Sequence, residues 1–157
     1  MLDKSDVISA LIDALEEELQ TAEHASRDAA DYATNEESRA ESKWDTQGLE
    51  ASYLAAGQAS HAKELIEALN QLKGQRPELT VPCESVKNGA LIECRLGRSR
   101  EWFFFAPVGG GETLTVDETE VTVITPDSPL AHTLVGHAAG SDFTFPNGAP
   151  GQILSVK

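Results

Sequence analysis

The chain has 157 residues, 26 of them acidic and 12 basic, and a formal net charge of −14 at pH 7. This charge disfavours strong direct binding to DNA phosphates and favours a basic protein surface or metal ions as partners. No stretch approaches the ~20 apolar residues of a membrane helix, and the acidic N-terminus lacks the basic flank of a signal peptide. We therefore expect a cytoplasmic monomer of one or two small domains that does not enter membranes.

Two long amphipathic helices are predicted in the first 73 residues, which also hold most of the acidic excess. Apolar and small side chains recur at spacings of three and four, first over residues 8–40 and then over residues 49–72. This is the spacing of one helix face. We expect helices over roughly residues 5–42 and 49–73.

The two helices are predicted to fold back on each other as an antiparallel hairpin about a point near Thr46. That geometry places Ala29 opposite Ala62 and Ala40 opposite Tyr53, so alanines line the seam near the bend and leucines line it at the far end. Because small side chains let helix axes approach closely, we expect a thin tip on a thick base. The predicted seam of the second helix contains Leu49, Tyr53, Ala56, Ala59, Ala62, Leu65, Leu69 and Leu72.

The bend, residues 38–53, carries polar side chains, with an acidic tip near residues 41–50. Asp45 is suited to cap the second helix, because a short carboxylate accepts hydrogen bonds from the first free amides of a helix. Trp44 gains nothing from contact with water at such a tip, so it either meets a partner or folds back over the turn.

A change of composition after Lys73 predicts a domain boundary, with the hairpin in residues 1–74 and a second domain in residues 75–157. Gly74 and Pro77 are typical of a helix stop. Beyond them the apolar period changes to two, which predicts a small antiparallel sheet. Strands are predicted over residues 79–82, 90–96, 101–106, 121–125, 142–145 and 152–156.

One short helix is predicted between the fourth and fifth strands. Ser128 is its N-cap, Pro129 takes the first helical position and Gly136 stops it. Its predicted buried side, which covers the sheet, consists of Leu130, Leu134 and Val135. The fold class is therefore α+β, with an N-terminal helical hairpin followed by a small sheet domain with one short helix.

The two cysteines do not predict a metal site. Cys83 and Cys94 are eleven residues apart, without a CxxC motif or a nearby pair of histidines. Two reduced, strand-borne thiols are the expected state.

Residues 121–157 carry three short motifs, which are Ser-Pro-Leu-Ala from Ser128, Leu-x-Gly from Leu134 and Gly-x-Asp from Gly140, followed by an alternating strand pair. This segment resembles the C-terminal domain of the bacterial GreA/GreB transcript-cleavage factors. The resemblance implies an FKBP-like domain that binds RNA polymerase at the rim of its secondary channel, while the hairpin enters the channel. The polymerase contacts that it implies are Ser128, Pro129, Leu130, His132 and Gly136.

The resemblance also implies a role for the tip. In the family, two tip carboxylates help the polymerase to hold a second Mg²⁺ and to position a water, so that the polymerase itself hydrolyses backtracked RNA. Asp45 and Glu50 are the matching pair here, with Glu41 as a reserve acid and Trp44 as a contact at the tip. The protein is then no enzyme by itself and has no cofactor of its own. It shares Mg²⁺ with the polymerase and meets the RNA 3′ end indirectly.

Three hypotheses remain, because the family tip has a second acid where Gln47 or Gly48 stands in this chain. The first is a Gre-like transcription elongation factor that stimulates RNA cleavage. The second is a Gre-like channel binder that modulates or inhibits the polymerase without cleavage. The third is an FKBP-like folding helper or adaptor. Its open aromatic pocket would come from residues 102–105, although a strand that buries Phe103 and Phe105 explains the same residues.

Overall fold

The computed structural model describes residues 2–39 and 47–157, and it shows two long helices followed by a sheet with one short helix. The predicted α+β fold is confirmed in this order of elements. The elements are α1 (Lys4–Arg39), α2 (Gln47–Leu79), β1 (Leu91–Leu96), β2 (Ser99–Phe105), β3 (Thr113–Val116), β4 (Thr119–Ile124), α3 (Pro129–Leu134), β5 (Asp142–Thr144) and β6 (Pro150–Val156).

Contacts divide the chain into two compact units, which we call the sheet unit and the hairpin unit. The hairpin unit is Leu15–Leu69, and the sheet unit is the chain up to Ala14 together with Asn70–Lys157. The first turns of α1 and the last turns of α2 therefore belong to the sheet unit. The domain boundary after Gly74 stays a prediction.

Helix α1 has the predicted apolar face. Its buried residues include Ile8, Leu11, Leu15, Ala22 and Ala29, which follow one another at intervals of three, four and seven. An alternation of threes and fours keeps a stripe on one side of a helix, because seven residues make almost two full turns.

Helix α2 follows the same alternation, so the first half of its predicted seam is wrong. The buried part of the stripe is Ala62, Leu65, Leu69 and Leu72. Before Ala62 the stripe continues through the partly buried Gln58, Ala55 and Ala51. The predicted seam residues that are exposed instead are Leu49, Tyr53, Ala56 and Ala59. The predicted seam passes from Ala56 through Ala59 to Ala62 in two successive steps of three residues. Two such steps place Ala56 ~120° around the helix from Ala62, and therefore off the buried stripe.

The register between the helices of the hairpin unit also differs from the prediction. The Ser26 hydroxyl donates to the carbonyl of Ala55 at 3.1 Å, and His61 Nε2 lies 3.1 Å from Glu18 Oε1. A bend near Thr46 would instead place Ser26 close to Ile66. The predicted pairing is therefore wrong by about three helical turns, because Ala55 precedes Ile66 by eleven residues on α2.

Helix α2 does not stop at Gly74 but runs through Pro77 to Leu79. Packing outweighs the proline, because Leu79 is only 2% exposed and Arg76 Nη2 donates to Ser9 Oγ at 2.7 Å. The predicted strand over residues 79–82 is wrong for the same reason.

The sheet of the described chain has six strands in the order β3-β4-β2-β1-β6-β5. Neighbouring strands pair antiparallel except β2 and β4, which run parallel with Phe103 beside Thr122. The sheet is therefore mixed, and the prediction of a purely antiparallel sheet is wrong. The chain leaves β2, forms β3 at the edge and returns as β4 next to β2.

Strand β3 was not among the predicted strands. It forms a hairpin with β4 through Asp117 and Glu118, which both have positive φ (49° and 61°). Such a two-residue turn normally carries glycine or asparagine, so this Asp-Glu pair gives no clear turn signal. The alternation of Thr113-Leu114-Thr115-Val116, exposed and buried in turn, is the signal that could have revealed the strand.

One face of the sheet packs against α3. Phe145 lies at the centre of this core, with its ring centroid 4.7 Å from that of Phe143 and 6.4 Å from that of Phe103. A Cβ on Gly151 would lie 2.5 Å from Phe145 Cε2, so the ring requires glycine there. The α3 residues that join this core are Leu130, Ala131 and Leu134.

Candidate functional sites

The first candidate site is the part of the hairpin unit nearest the bend. Glu50 lies exposed in the first turn of α2, where the positive end of the helix dipole favours a carboxylate. It lines a cleft between the two helices together with Ala25, Asp28, Ala29, Tyr32, Ala51 and Leu54. Four residues were predicted to act at the tip. Glu41, Trp44 and Asp45 lie outside the described residues, and Glu50 is the one that the structure describes.

Asp28 is an acid of this cleft that the sequence interpretation missed. Its carboxylate lies 3.4 Å from His24 Nε2, one turn earlier on α1, and both side chains are exposed. The sequence could have indicated Asp28, because it directly precedes Ala29, which the helical spacing places on the face toward α2. The cleft therefore presents one carboxylate from each helix.

Large apolar side chains are exposed in the same region of the hairpin unit. The exposed fractions are 45% for Tyr32, 55% for Leu49, 71% for Tyr53 and 56% for Leu54. The sequence interpretation placed Leu49 and Tyr53 in the seam and so missed them as surface residues. Several exposed apolar side chains close in sequence are typical of a surface that meets a partner.

The second candidate site is α3 and the turn that follows it. Ser128 takes the N-cap position with extended backbone, and its side chain makes no capping hydrogen bond. Pro129 and His132 are exposed, whereas Leu130 is buried at 9% exposure and anchors the helix to the core. Leu130 was one of the five predicted polymerase contacts, but its side chain faces the core.

The turn after α3 is held by backbone hydrogen bonds to the segment before β1. The Gly136 amide donates to the carbonyl of Val86 at 2.9 Å, and the Val86 amide donates to the carbonyl of His137 at 2.8 Å. Gly136 has φ +82°, which glycine adopts without strain. Val135 was predicted to be buried, but it is 52% exposed because the chain becomes extended there and turns the side chain outward. We call Pro129, His132, Val135 and Gly136 the α3 surface.

The aromatic run on β2 does not form an open pocket. Phe103 and Phe105 are buried at 8% and 5% exposure, as the strand interpretation predicted. Phe104 is buried as well, at 0%, because the opposite face of the sheet is also covered. Trp102 is partly buried, with Lys157 Nζ 5.7 Å from its ring centroid.

Within residues 2–39 and 47–157, no three His, Cys, Asp or Glu side chains come together as a metal site. None of the helices in these ranges has the length and apolar character of a membrane span.

No family model and no curated protein sequence matches the chain. Solved structures that are similar to it include the GreA factor homolog 1 (Gfh1) protein of Thermus thermophilus, with 16% identity, a TM-score of 0.37, and 94% of this chain and 95% of that chain covered. Thermus aquaticus Gfh1 has 17% identity and a TM-score of 0.35, with 99% and 96% covered. A further structure of the transcription factor Gfh1 has 18% identity and a TM-score of 0.36, with 94% and 93% covered.

Proposed function

We propose that this protein is a Gre-like transcription factor that binds RNA polymerase through the α3 surface and inserts its hairpin into the secondary channel. The observation that carries the proposal is the fold of residues 121–157, whose motifs resemble the GreA/GreB family. Ser128 and Pro129 begin α3, Leu134 is buried, and Gly136 and Gly140 take the positive φ values that glycine tolerates. The proline, the leucine and the two glycines named here thus each have a structural role at their place.

The shape of the helices supports the same proposal. Helix α2 has 33 residues and is therefore about 50 Å long. Its buried stripe changes from Leu69 and Leu65 to Ala62 toward the bend, and smaller side chains let helices pack more closely. The exposed Leu49, Tyr53 and Leu54 then contact the channel wall.

The finer proposal is that the factor stimulates cleavage of backtracked RNA, with Asp45 and Glu50 helping to hold Mg²⁺. Glu50 is exposed near the bend, as this role requires. One or two protein carboxylates suffice for Mg²⁺, since the ion keeps water and phosphate ligands. The alternative is a factor that occupies the channel without cleavage, and it is favoured by Gln47 and Gly48 at the place of the family's second acid.

Cleavage of a stalled, backtracked transcription complex separates these proposals. Asp45→Asn and Glu50→Gln should each lower the cleavage rate by roughly tenfold or more at unchanged affinity, because both keep the size of the side chain and remove its charge. Glu67→Gln, which neutralises an exposed acid farther along α2, is the matched control. If the wild-type protein fully occupies the channel but causes no cleavage at any Mg²⁺ concentration, the factor that binds the channel without cleavage is the proposal that remains.

Binding itself is tested at the α3 surface. Val135→Glu should weaken binding to the polymerase, because it replaces an exposed apolar side chain of the α3 surface with a charge. Val81→Glu changes an equally exposed valine of the sheet unit and should leave binding intact. If neither variant nor wild type binds, the folding-helper hypothesis is the one that remains.

A further inference from the structure

Lys4 is the buried charged residue of the described chain, with 8% of its surface exposed. Its Nζ donates to the carbonyl oxygens of Val81 at 2.6 Å and Lys157 at 3.3 Å, and it lies 3.8 Å from Cys83 Sγ. A primary amine and a thiol are thus in van der Waals contact inside the sheet unit.

The surroundings favour a nucleophilic amine. Burial lowers the pKa of Lys4, and the nearby charge of Lys87 lowers it further, while Cys83 opposes both effects. A lowered pKa raises the fraction of the neutral amine at a given pH, and the neutral amine carries the free electron pair.

Cys83 can be reached from solvent, although it is only 5% exposed. It lines a surface cleft with Glu78, Leu79, Val81, Lys87 and Asn88. Lys4 Nζ lies 3.8 Å from its sulfur. A small oxidant entering this cleft therefore meets a thiol with an amine directly beside it.

Cys94 has the opposite environment. It is fully buried in the core under the sheet, and burial, together with Glu93 and Glu101, raises its pKa to about 12. A thiol without access and without thiolate character is inert.

We propose that Cys83 and Lys4 form a reversible sulfenamide cross-link when the protein meets a peroxide. The Cys83 sulfur first attacks the peroxide, the O–O bond breaks, and a sulfenic acid and water form. Lys4 Nζ then attacks the sulfur, the S–O bond breaks, an S–N bond forms, and the hydroxyl leaves as a second water with a proton from the nitrogen. The sulfur is oxidised by two electrons and the peroxide is reduced, so the protein loses two hydrogen atoms.

The bond requires Nζ to move closer to Sγ, which the flexible four-carbon stem of lysine allows. The cross-link joins the first turn of α1 to the segment before β1 and closes a loop that contains both long helices. Closing so long a loop restricts the unfolded chain, so the cross-linked protein should resist unfolding. Excess thiol reverses the reaction by attacking the sulfur and releasing the amine.

The test is intact-mass and tryptic analysis of the full chain after treatment with hydrogen peroxide. We expect a loss of two hydrogen atoms, a peptide that joins Lys4 to Cys83, no tryptic cleavage after Lys4, and return to the starting mass with dithiothreitol. The Tm of the treated protein should rise by roughly 10 °C. A product that only gains oxygen atoms would overturn the proposal.

Three variants exclude other products. Lys4→Arg keeps the charge and the hydrogen bonds but has no nucleophilic amine, so its sulfenic acid should persist and be captured by dimedone. Cys94→Ala should cross-link like the wild type. Loss of the product in Cys94→Ala would show a disulfide instead. The same mass loss in the double variant Lys4→Arg with Cys94→Ala would show attack by a backbone amide. Cys83→Ser should be unreactive, and a cross-link there would also contradict the proposal.

Discussion

The two units of this protein are stabilised differently although the same two helices contribute to both. The sheet unit buries large side chains completely, as Leu72, Ile92 and Phe104 show at 0% exposure. The described residues of the hairpin unit bury as many alanines as leucines, namely Ala22, Ala29 and Ala62 beside Leu15, Leu65 and Leu69. A buried leucine contributes about 1.5–3 kcal/mol, and the single methyl group of alanine contributes much less.

The difference extends to the large side chains that are left exposed. Leu49, Tyr53 and Leu54 of the hairpin unit are all more than half exposed. These side chains remain available to a partner. The exposed large apolar side chains among the described residues of the sheet unit are the smaller Val81 and Val135, so the hairpin unit presents the larger apolar groups at its surface.

The largest expected effect is at Leu72, which is completely buried in the sheet unit. Leu72→Ala should lower the free energy of unfolding by about 2–5 kcal/mol, because it removes buried methyl groups and leaves a cavity. Urea denaturation followed by circular dichroism measures this. The same substitution at Leu54, on the same helix but 56% exposed, should cost less than about 0.5 kcal/mol. Equal losses at the two positions would contradict the comparison.

Gly151 tests how tightly the core under the sheet is packed. A Cβ there would meet Phe145 Cε2 at 2.5 Å and Phe143 Cζ at 2.7 Å. Gly151→Ala should therefore destabilise the protein by roughly 1–3 kcal/mol, since one of the two rings must move. The near-ultraviolet circular dichroism of the aromatic residues should change as well. An unchanged unfolding midpoint would mean that the rings shift freely.

The burial of Cys94 predicts how stability depends on alkaline pH. Its folded pKa of about 12 lies above the ordinary value of 9.0, because burial disfavours the thiolate. The unfolded chain thus releases the proton first, so the stabilisation is complete below pH 9 and is lost as the pH rises toward 12. Cys94→Ala should reduce the decline in unfolding free energy by up to ~1.4 kcal/mol per pH unit in this range. A decline of the same steepness in the variant would show that other groups cause it.

The smallest expected effect is a gain of stability in the hairpin unit. A Cβ on Gly57 would meet nothing within 4 Å, and Gly57 lies inside α2. Gly57→Ala should stabilise the hairpin by up to about 1 kcal/mol, because alanine loses less backbone freedom in a helix. Slower hydrogen exchange of the neighbouring amides would show the gain. Unchanged hydrogen exchange would mean that packing, and not helix propensity, limits the stability of the hairpin unit.

Much of this fold can be predicted from local patterns. The stripe of α1 from Ile8 to Ala29 and the start of α3 at Pro129 agree with the structure, because helical spacing and the fixed φ of proline act within a few residues. The alternation of Phe103 and Phe105 likewise identified a strand with a buried face. Of the two acids that line the cleft of the hairpin unit, the sequence interpretation named Glu50 but not Asp28, and the role of Glu50 stays a prediction.

Other features depended on contacts between residues far apart in the chain. Helix α2 passes Pro77 because Arg76 and Leu79 find partners in the sheet unit, and these gains exceed the local cost of a proline near a helix end. The parallel pairing of β2 with β4 and the register of Ser26 against Ala55 are also long-range. No local pattern distinguishes one alanine register from the next.

The sequence by itself determined the order of two helices and a sheet, the acidic hairpin and the residue types near the bend, since each follows from composition and period. Only the tertiary structure decided that Lys4 lies beside Cys83, across 79 residues of chain, at 3.8 Å. Tertiary packing brings the first turn of α1 to the segment before β1, and it buries there an amine whose sequence neighbours gave no sign of burial.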